Sequence, residues 1–388
     1  MVESGGRGRR QGAVIPIPDR RPSLSERKEV SPAMQRDPQV DLIFSHFIPR
    51  YEATGVDPND LRALMPRVTQ WQDWCRLWSE EGARHEALGE EAKAKGYRRT
   101  AAESFVRAAM YYHYGKHLFA DRAEEFQRAH EAMLRCYSAG AAHLDPPIER
   151  VEFPYRGVAM PGWLRKPRGV ARPPVAIILP GLDACKEELH AWAEGFVDRG
   201  LAALTLDGPG QGETSFHLPV THEWGGVIGA VIDVLERRDD VDGSRVGVVG
   251  QSLGALYAPL AAAGEPRLKA CIANCGPFDW GTVLPKMPKV SQEVFRVRSH
   301  SKTIEECHER GKALTLEGRA QNIRCPLLVI FGAGDRLIPP ADGERLARAA
   351  SGPSELVVYP EGNHVCFNIS YKFRPLSGDW MAKTLGQA

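Results

Sequence analysis

Ser252, His364 and Asp335 are the residues of this sequence best placed to act together as nucleophile, base and orienting acid. Ser252 lies in Gly250-Gln-Ser-Leu-Gly254, after the apolar run Val246-Gly-Val-Val and before Ala255, Leu256 and Ala258, the first turns of a predicted helix. That is the strand, tight turn and helix in which G-x-S-x-G carries chemical meaning, because a strained turn presents the serine hydroxyl at the sheet's end. The residues two before and two after the serine must be small for strand and helix to pack closely, and both are glycine. Outside such a context the pattern is an ordinary glycine-rich turn.

A serine hydroxyl is a weak nucleophile until a base takes its proton, and the base needs an acid to fix its tautomer. Asp335 follows the predicted strand ending at Phe331, and His364 follows the last predicted strand, in Tyr359-Pro-Glu-Gly-Asn-His364. Ligands of open parallel sheets bind at the carboxyl ends of the strands, so both residues fall where partners of Ser252 belong. The chain order serine, aspartate, histidine is the one α/β-hydrolases use.

The oxyanion formed by attack needs preorganised backbone donors. One is the amide of Leu253; the other is expected from Leu179-Pro-Gly-Leu-Asp183, with Leu182 as the first choice and Asp183 the second. The Asp183 carboxylate itself either faces the substrate near the developing charge or caps a helix beginning near Cys185. Asp207-Gly-Pro-Gly-Gln-Gly212 lacks the lysine and the glycine spacing of a phosphate-binding loop and reads as a rigid loop beside the pocket.

The elements that must position these groups are legible from periodicity. Residues 1 to 36, rich in Gly, Arg, Ser and Pro, read as a disordered tail. From 37 to 145 the pattern is helical: Val40, Ile43, Phe44 and Phe47 recur at helical spacing with Pro49 closing the element, Asp57-Pro58 caps a short helix, and Trp71 to about Lys95 makes a longer one. Thr100-Ala-Ala-Glu103 matches a capping box for the next helix, and another runs from about Arg122 to Ser138. Tyr111 and Tyr112 on the fourth of these helices either line a substrate pocket or belong to the helical core. Beyond Asp145-Pro-Pro, predicted strands near 151, 160, 175, 202, 246, 270, 326 and 355 alternate with helices, and 278 to 321 forms a mostly helical insertion. Such repeated units predict an α/β fold over 146 to 388, a mostly parallel sheet of eight strands with helices on both faces, behind an all-helical cap over 37 to 145.

With 388 residues the chain is long enough for one large domain or two modest ones, and a formal charge of +1 gives no footprint for nucleic acid or a polyanion. No apolar run reaches the roughly 20 residues of a membrane span, and no secretory signal is visible. The eight cysteines are scattered, as reduced thiols in a cytoplasmic protein would be, and Cys271 and Cys275 lack the partners a zinc site requires.

Pro180-Gly-Leu-Asp-Ala-Cys-Lys-Glu-Glu188, Asp207-Gly-Pro-Gly-Gln-Gly-Glu213, Gly250-Gln-Ser-Leu-Gly254 and Gly362-Asn-His364, behind a helical segment carrying Tyr111-Tyr-His113, resemble one branch of the α/β-hydrolases. That branch holds the 2,6-dihydroxypseudooxynicotine hydrolases and the fungal hydrolases that shorten polyketide pigment precursors. The resemblance covers roughly residues 40 to 385. It implies cofactor-free and metal-free hydrolysis of a carbon–carbon bond in a 1,3-diketone or vinylogous β-keto acid by Ser252, His364 and Asp335. It also implies an acidic active-site residue at Asp183, where the nicotine-pathway enzymes carry a glutamate. A carboxylesterase or peptidase-like hydrolase with the same triad is the alternative, and an inactive hydrolase fold serving as a binding protein is a second. The expected setting is a cytoplasmic homodimer acting on a small molecule, with neither nucleic acid nor membrane as partner.

Overall fold

A computed structural model describes residue 1 and residues 36–120 and 122–386, and the tail expected over 1 to 36 falls almost wholly outside them. Five helices come first: α1 (Pro38–Ala53), α2 (Pro58–Leu64), α3 (Trp74–Ala94), α4 (Arg98–Lys116) and α5 (Ala123–Ala141). Asp37 and Asp57 cap α1 and α2 through side chains that accept from the amides two residues on, each with proline in the first turn. Two expectations are corrected here. Helix α1 runs through Pro49 to Ala53, because only one hydrogen bond is lost there while Val40, Ile43, Phe44 and Tyr51 keep its buried stripe in the core. Helix α4 begins at Arg98 with Ala101 bonding back to Tyr97, so Thr100 sits inside the first turn and Glu103 pairs with Arg99 at 2.9 Å rather than closing a capping box.

The sheet has eight strands: β1 (Ile148–Tyr155), β2 (Val158–Arg165), β3 (Pro174–Leu179), β4 (Ala202–Leu206), β5 (Asp242–Gln251), β6 (Ala270–Asn274), β7 (Leu327–Gly332) and β8 (Ser354–Tyr359). They lie in the order β1-β2-β4-β3-β5-β6-β7-β8. β1 and β2 form a hairpin around Arg156-Gly157, both with positive φ, and pair antiparallel; β2 meets β4 antiparallel, and every later pairing is parallel. Strands β3, β4, β6 and β7 are buried along their whole length, as continuous apolar runs covered on both faces must be.

Helices α6 (His190–Val197), α7 (Trp224–Leu235), α8 (Gly254–Gly264), α12 (Pro340–Ala349) and α13 (Ser370–Thr384) cover the sheet, α6 packing with α13 and α7 with α8. Between β6 and β7 the chain is helical, with α9 (Trp280–Val283), α10 (Lys289–Arg298) and α11 (Ile304–Gly311). Asp37–Ala388 form one compact unit, whose main apolar core runs from α1 through the sheet to α13, with a small separate cluster of Ala92, Ala101 and Phe105 between α3 and α4. Among the described residues no helix is long and apolar enough to cross a membrane.

Candidate active site

Ser252 occupies the turn between β5 and α8 with φ at +53°, a backbone region that a side chain makes costly and that points its hydroxyl off the end of the sheet. The flanking glycines are required by contact: a Cβ on Gly250 would lie 1.9 Å from the Gly254 carbonyl oxygen, and one on Gly254 would lie 2.5 Å from those of Leu179 and Pro180. The Ser252 hydroxyl donates to His364 Nε2 at 2.9 Å, and His364 Nδ1 donates to Asp335 Oδ2 at 2.7 Å. The Asp335 side chain is fully buried, and its other oxygen accepts from the amides of Leu337 and Ile338 at 2.9 and 3.0 Å. Burial alone would raise its carboxyl, but the His364 ring and those two amides outweigh it and hold the group below the usual aspartate range.

The loop after β3 presses on the serine, since a Cβ on Gly181 would stand 3.1 Å from that of Ser252. Neither the Leu182 nor the Leu253 amide donates to a protein acceptor among the described residues, so both expected oxyanion donors are free. The loop is braced from below: Gln211 Nε2 donates to the Pro180 carbonyl, and Lys186 binds Asp207 through both its amide and its ammonium group. Asp207-Gly-Pro-Gly-Gln-Gly212 is therefore a structural support for the serine's neighbour.

Asp183 is not a helix cap. Residues 186–189 form a turn, and α6 starts only at His190 with Leu189 as its N-cap. Arg50 on α1 reaches across to Asp183, with Nη1 to Oδ1 at 3.0 Å, and clamps Glu188 through Nε at 2.7 Å and Nη2 at 2.6 Å. Glu188 also accepts from His113 at 2.7 Å. Burial pushes the Asp183 carboxyl up, but the Arg50 guanidinium, then His117, hold it below the usual range, so it stays ionised with Oδ2 unpartnered among the described residues. Arg50 offsets the anion that would otherwise oppose charge developing beside Leu182.

A cavity of about 1040 Å³ opens against His364 and Asp335, walled by Ile43, His46, Phe47 and Pro49 of α1 on one side and by Val283, Met287 and Val290 of the helical stretch on the other. Tyr111 and Tyr112 are not among its walls, which corrects their placement as pocket residues. The Tyr111 hydroxyl donates to Asp60 at 2.7 Å with its ring stacked on His85, and that of Tyr112 donates to Glu86 at 2.8 Å with its ring laid on Gly82. Their polar tips are satisfied within the helical segment, as buried tyrosines usually require. Among the described residues no group of three or more His, Cys, Asp or Glu is placed to hold a metal ion.

Sequence reasoning missed Arg50, His46 and Asn274. Asn274, at the end of β6, accepts from the Ser252 amide through its carbonyl at 2.9 Å and donates from Nδ2 to the Val365 carbonyl at 3.1 Å, tying the serine turn to the histidine loop. A signal for the first two existed: His46 and Arg50 stand three and seven residues after Ile43, on the apolar stripe of α1.

Sheets that end a central strand in such a serine turn, relayed to a histidine and an acid at later strand ends, are those of the α/β-hydrolases, and this chain is one of these enzymes. More closely, the chain belongs to the FrsA-like esterase family, which matches over residues 67–354. It is 31% identical over 336 residues to 2,6-dihydropseudooxynicotine hydrolase of Paenarthrobacter nicotinovorans, covering 85% of this chain and 89% of the other. The crystal structure of 2,6-dihydroxy-pseudo-oxynicotine hydrolase superposes with a TM-score of 0.80 at 30% identity, over 87% of this chain and 95% of that one. A fungal relative, 20-hydroxy-prefusarin hydrolase of Gibberella moniliformis, is 33% identical over 222 residues, 54% of this chain and 53% of its own.

The buried imidazoles between the helical segment and the sheet make the fold acid-sensitive. Burial, with Arg50 and His113 adding to it, lowers His117 to about 3, and burial beside Lys116 lowers His130 to about 2. Both folded-state values lie below the unfolded one near 6.5, so their contribution is complete above pH 6.5 and is lost as pH falls towards 3. Each is expected to remove about 1.4 kcal/mol of stability per pH unit in that window. Urea unfolding at pH 5.5 and 4.5 checks this, with His130→Phe expected to flatten the dependence by about one proton; an unchanged slope contradicts it.

Proposed function

We propose that this enzyme cleaves a carbon–carbon bond in a 1,3-diketone or vinylogous β-keto acid, with Ser252 as nucleophile, His364 as base and then acid, and Asp335 as the group that orients it. The observation that carries the hydrolytic half is the continuous Ser252–His364–Asp335 hydrogen-bond chain beside two free amides. The carbon–carbon half is supported by likeness over nearly the whole length to the pseudooxynicotine hydrolase.

In this mechanism Ser252 Oγ adds to the substrate carbonyl as its proton passes to His364 Nε2, and Leu182 and Leu253 donate to the oxyanion. Collapse breaks the bond to the adjacent carbon, whose electron pair becomes an enolate with the second carbonyl, and His364 returns its proton to that carbon. Water, activated by the same histidine, then splits the acyl-enzyme, giving a carboxylic acid and a ketone. No step requires a metal or a cofactor. The substrate is a small molecule, and we place the enzyme in the cytoplasm as a homodimer.

Asp183 serves this reading through its free oxygen, which accepts a hydrogen bond from a substrate hydroxyl or enol. Asp183→Asn keeps the Arg50 contact but not the charge. It is expected to lower diketone cleavage at least about tenfold and hydrolysis of a simple activated ester less. Equal activity of variant and wild type on both substrates contradicts that role.

A carboxylesterase or peptidase-like acyl hydrolase is the second reading, favoured by the esterase family that the chain belongs to. The same nucleophile, base and donors attack an ester or a ketone, so the leaving group decides. Mass spectrometry of products from a panel of aryl 1,3-diketones and matched esters separates the two. Acid plus methyl ketone from the diketones supports carbon–carbon cleavage, and ester turnover with intact diketones supports the alternative.

A further inference from the structure

His46 has no part in the mechanism above, yet it stands on α1 in the wall of the cavity, beside the base. Its ring centroid is 6.3 Å from that of His364, with the two planes 28° apart, and Phe47 packs edge-on against it at 4.6 Å. The separation is too long for the rings to bond each other and leaves room for one substrate group between them. His46 is half-buried, and its contacts with described side chains are ring contacts, to Phe47 and His364. Burial, then the neighbouring His364, lowers its pKa to about 4, so at neutral pH the ring carries one N–H donor and one lone pair.

The reaction fixes what passes beside it. His364 Nε2 must reach the carbon from which the bond breaks, so the leaving half of the substrate lies against His364, in the cavity that His46 also lines. The second carbonyl oxygen of a 1,3-dicarbonyl is two bonds from that carbon and takes up the negative charge as the bond breaks. We propose that His46 is a further catalytic residue, whose imidazole N–H donates a hydrogen bond to this second carbonyl oxygen and so stabilises the departing enolate. The inference rests on the carbon–carbon reading. No atom is transferred by His46: the electron pair moves onto the enolate, and the proton that quenches it comes from His364. An ester leaving group takes the electron pair onto the oxygen that departs, as an alkoxide that His364 protonates or as a stable phenoxide, so His46 has no comparable task there.

The test uses the full chain, His46→Phe, which keeps a ring, and His46→Gln, which keeps a donor, on 1-phenyl-1,3-butanedione and on p-nitrophenyl acetate. His46→Phe is expected to lose about 10- to 100-fold in kcat/KM on the diketone and less than about threefold on the ester, with His46→Gln recovering most of the loss. A thermal melt of each variant checks that it folds. Equal losses on both substrates, or none on the diketone, would overturn the role of His46 while leaving the carbon–carbon reading in place. Wild-type enzyme that turns over the ester and leaves every diketone intact overturns both together.

Discussion

Replacing Ser252 with alanine is expected to lower kcat/KM by roughly ten-thousand-fold or more and to leave the fold intact. The large effect follows from the relay: without Oγ, His364 has no proton to take and Asp335 orients a base with nothing to activate. Residual turnover is limited to what the two free amides and binding supply. The small effect on stability follows from position, since among the described residues the hydroxyl bonds to His364 alone and alanine meets the same positive φ as serine. A thermal melt and steady-state kinetics on one preparation check both halves. Activity within tenfold of wild type contradicts the assignment.

Replacing Arg50 with methionine is expected to cost about 3–5 kcal/mol of stability, the penalty for removing one partner of a buried ion pair. The guanidinium is flanked by Phe47, Tyr114 and Phe367 and makes three hydrogen bonds, two to a Glu188 side chain with no exposure at all. Without it, His113 is the one remaining hydrogen-bond partner of the Glu188 carboxylate among the described residues. Burial alone would raise the Glu188 carboxyl, but Arg50, then His113, hold it far below the usual range. Its contribution is therefore present above about pH 4.5 and is lost as pH falls below that. Adding Glu188→Gln to Arg50→Met removes the stranded charge and is expected to recover part of the loss, as double-mutant coupling between contacting residues requires. The same clamp fixes the loop carrying Leu182 and Asp183, so the variant also slows turnover. Urea unfolding of the two single variants and the double variant tests this, and a loss below about 1 kcal/mol for Arg50→Met contradicts the clamp.

The parts of this molecule that were legible in the sequence are those with local signatures. Ser252 carried its own motif because strand, turn and helix are contiguous, and Asp335 and His364 stood out by their places after predicted strands, which the fold forms as β7 and β8. The sheet was readable because β3, β4, β6 and β7 are continuous apolar runs. Contacts between distant segments left no such trace. Arg50 meets Glu188 across 138 positions, and no spacing rule links a helix near the start to a loop after the third strand. Tyr111 and Tyr112 looked like pocket residues because a ring with a polar tip reads alike in a core and in a wall; the acceptors that settle it, Asp60 and Glu86, lie on other helices. Pro49 misled for a related reason. Helix-breaking is a local tendency, and tertiary packing of α1 overrode it.

The central claim is that Ser252 takes an acyl group from a substrate whose leaving group is carbon. Acid quench of the enzyme during turnover of an aryl 1,3-diketone, followed by peptide mass analysis, tests it most directly. The account predicts that the peptide holding Ser252 gains the mass of the acyl half while the ketone half is already free in solution, and that Ser252→Ala shows no such adduct. Diketone consumption with Ser252 unmodified at every quench time, or an adduct on any other residue, would contradict it.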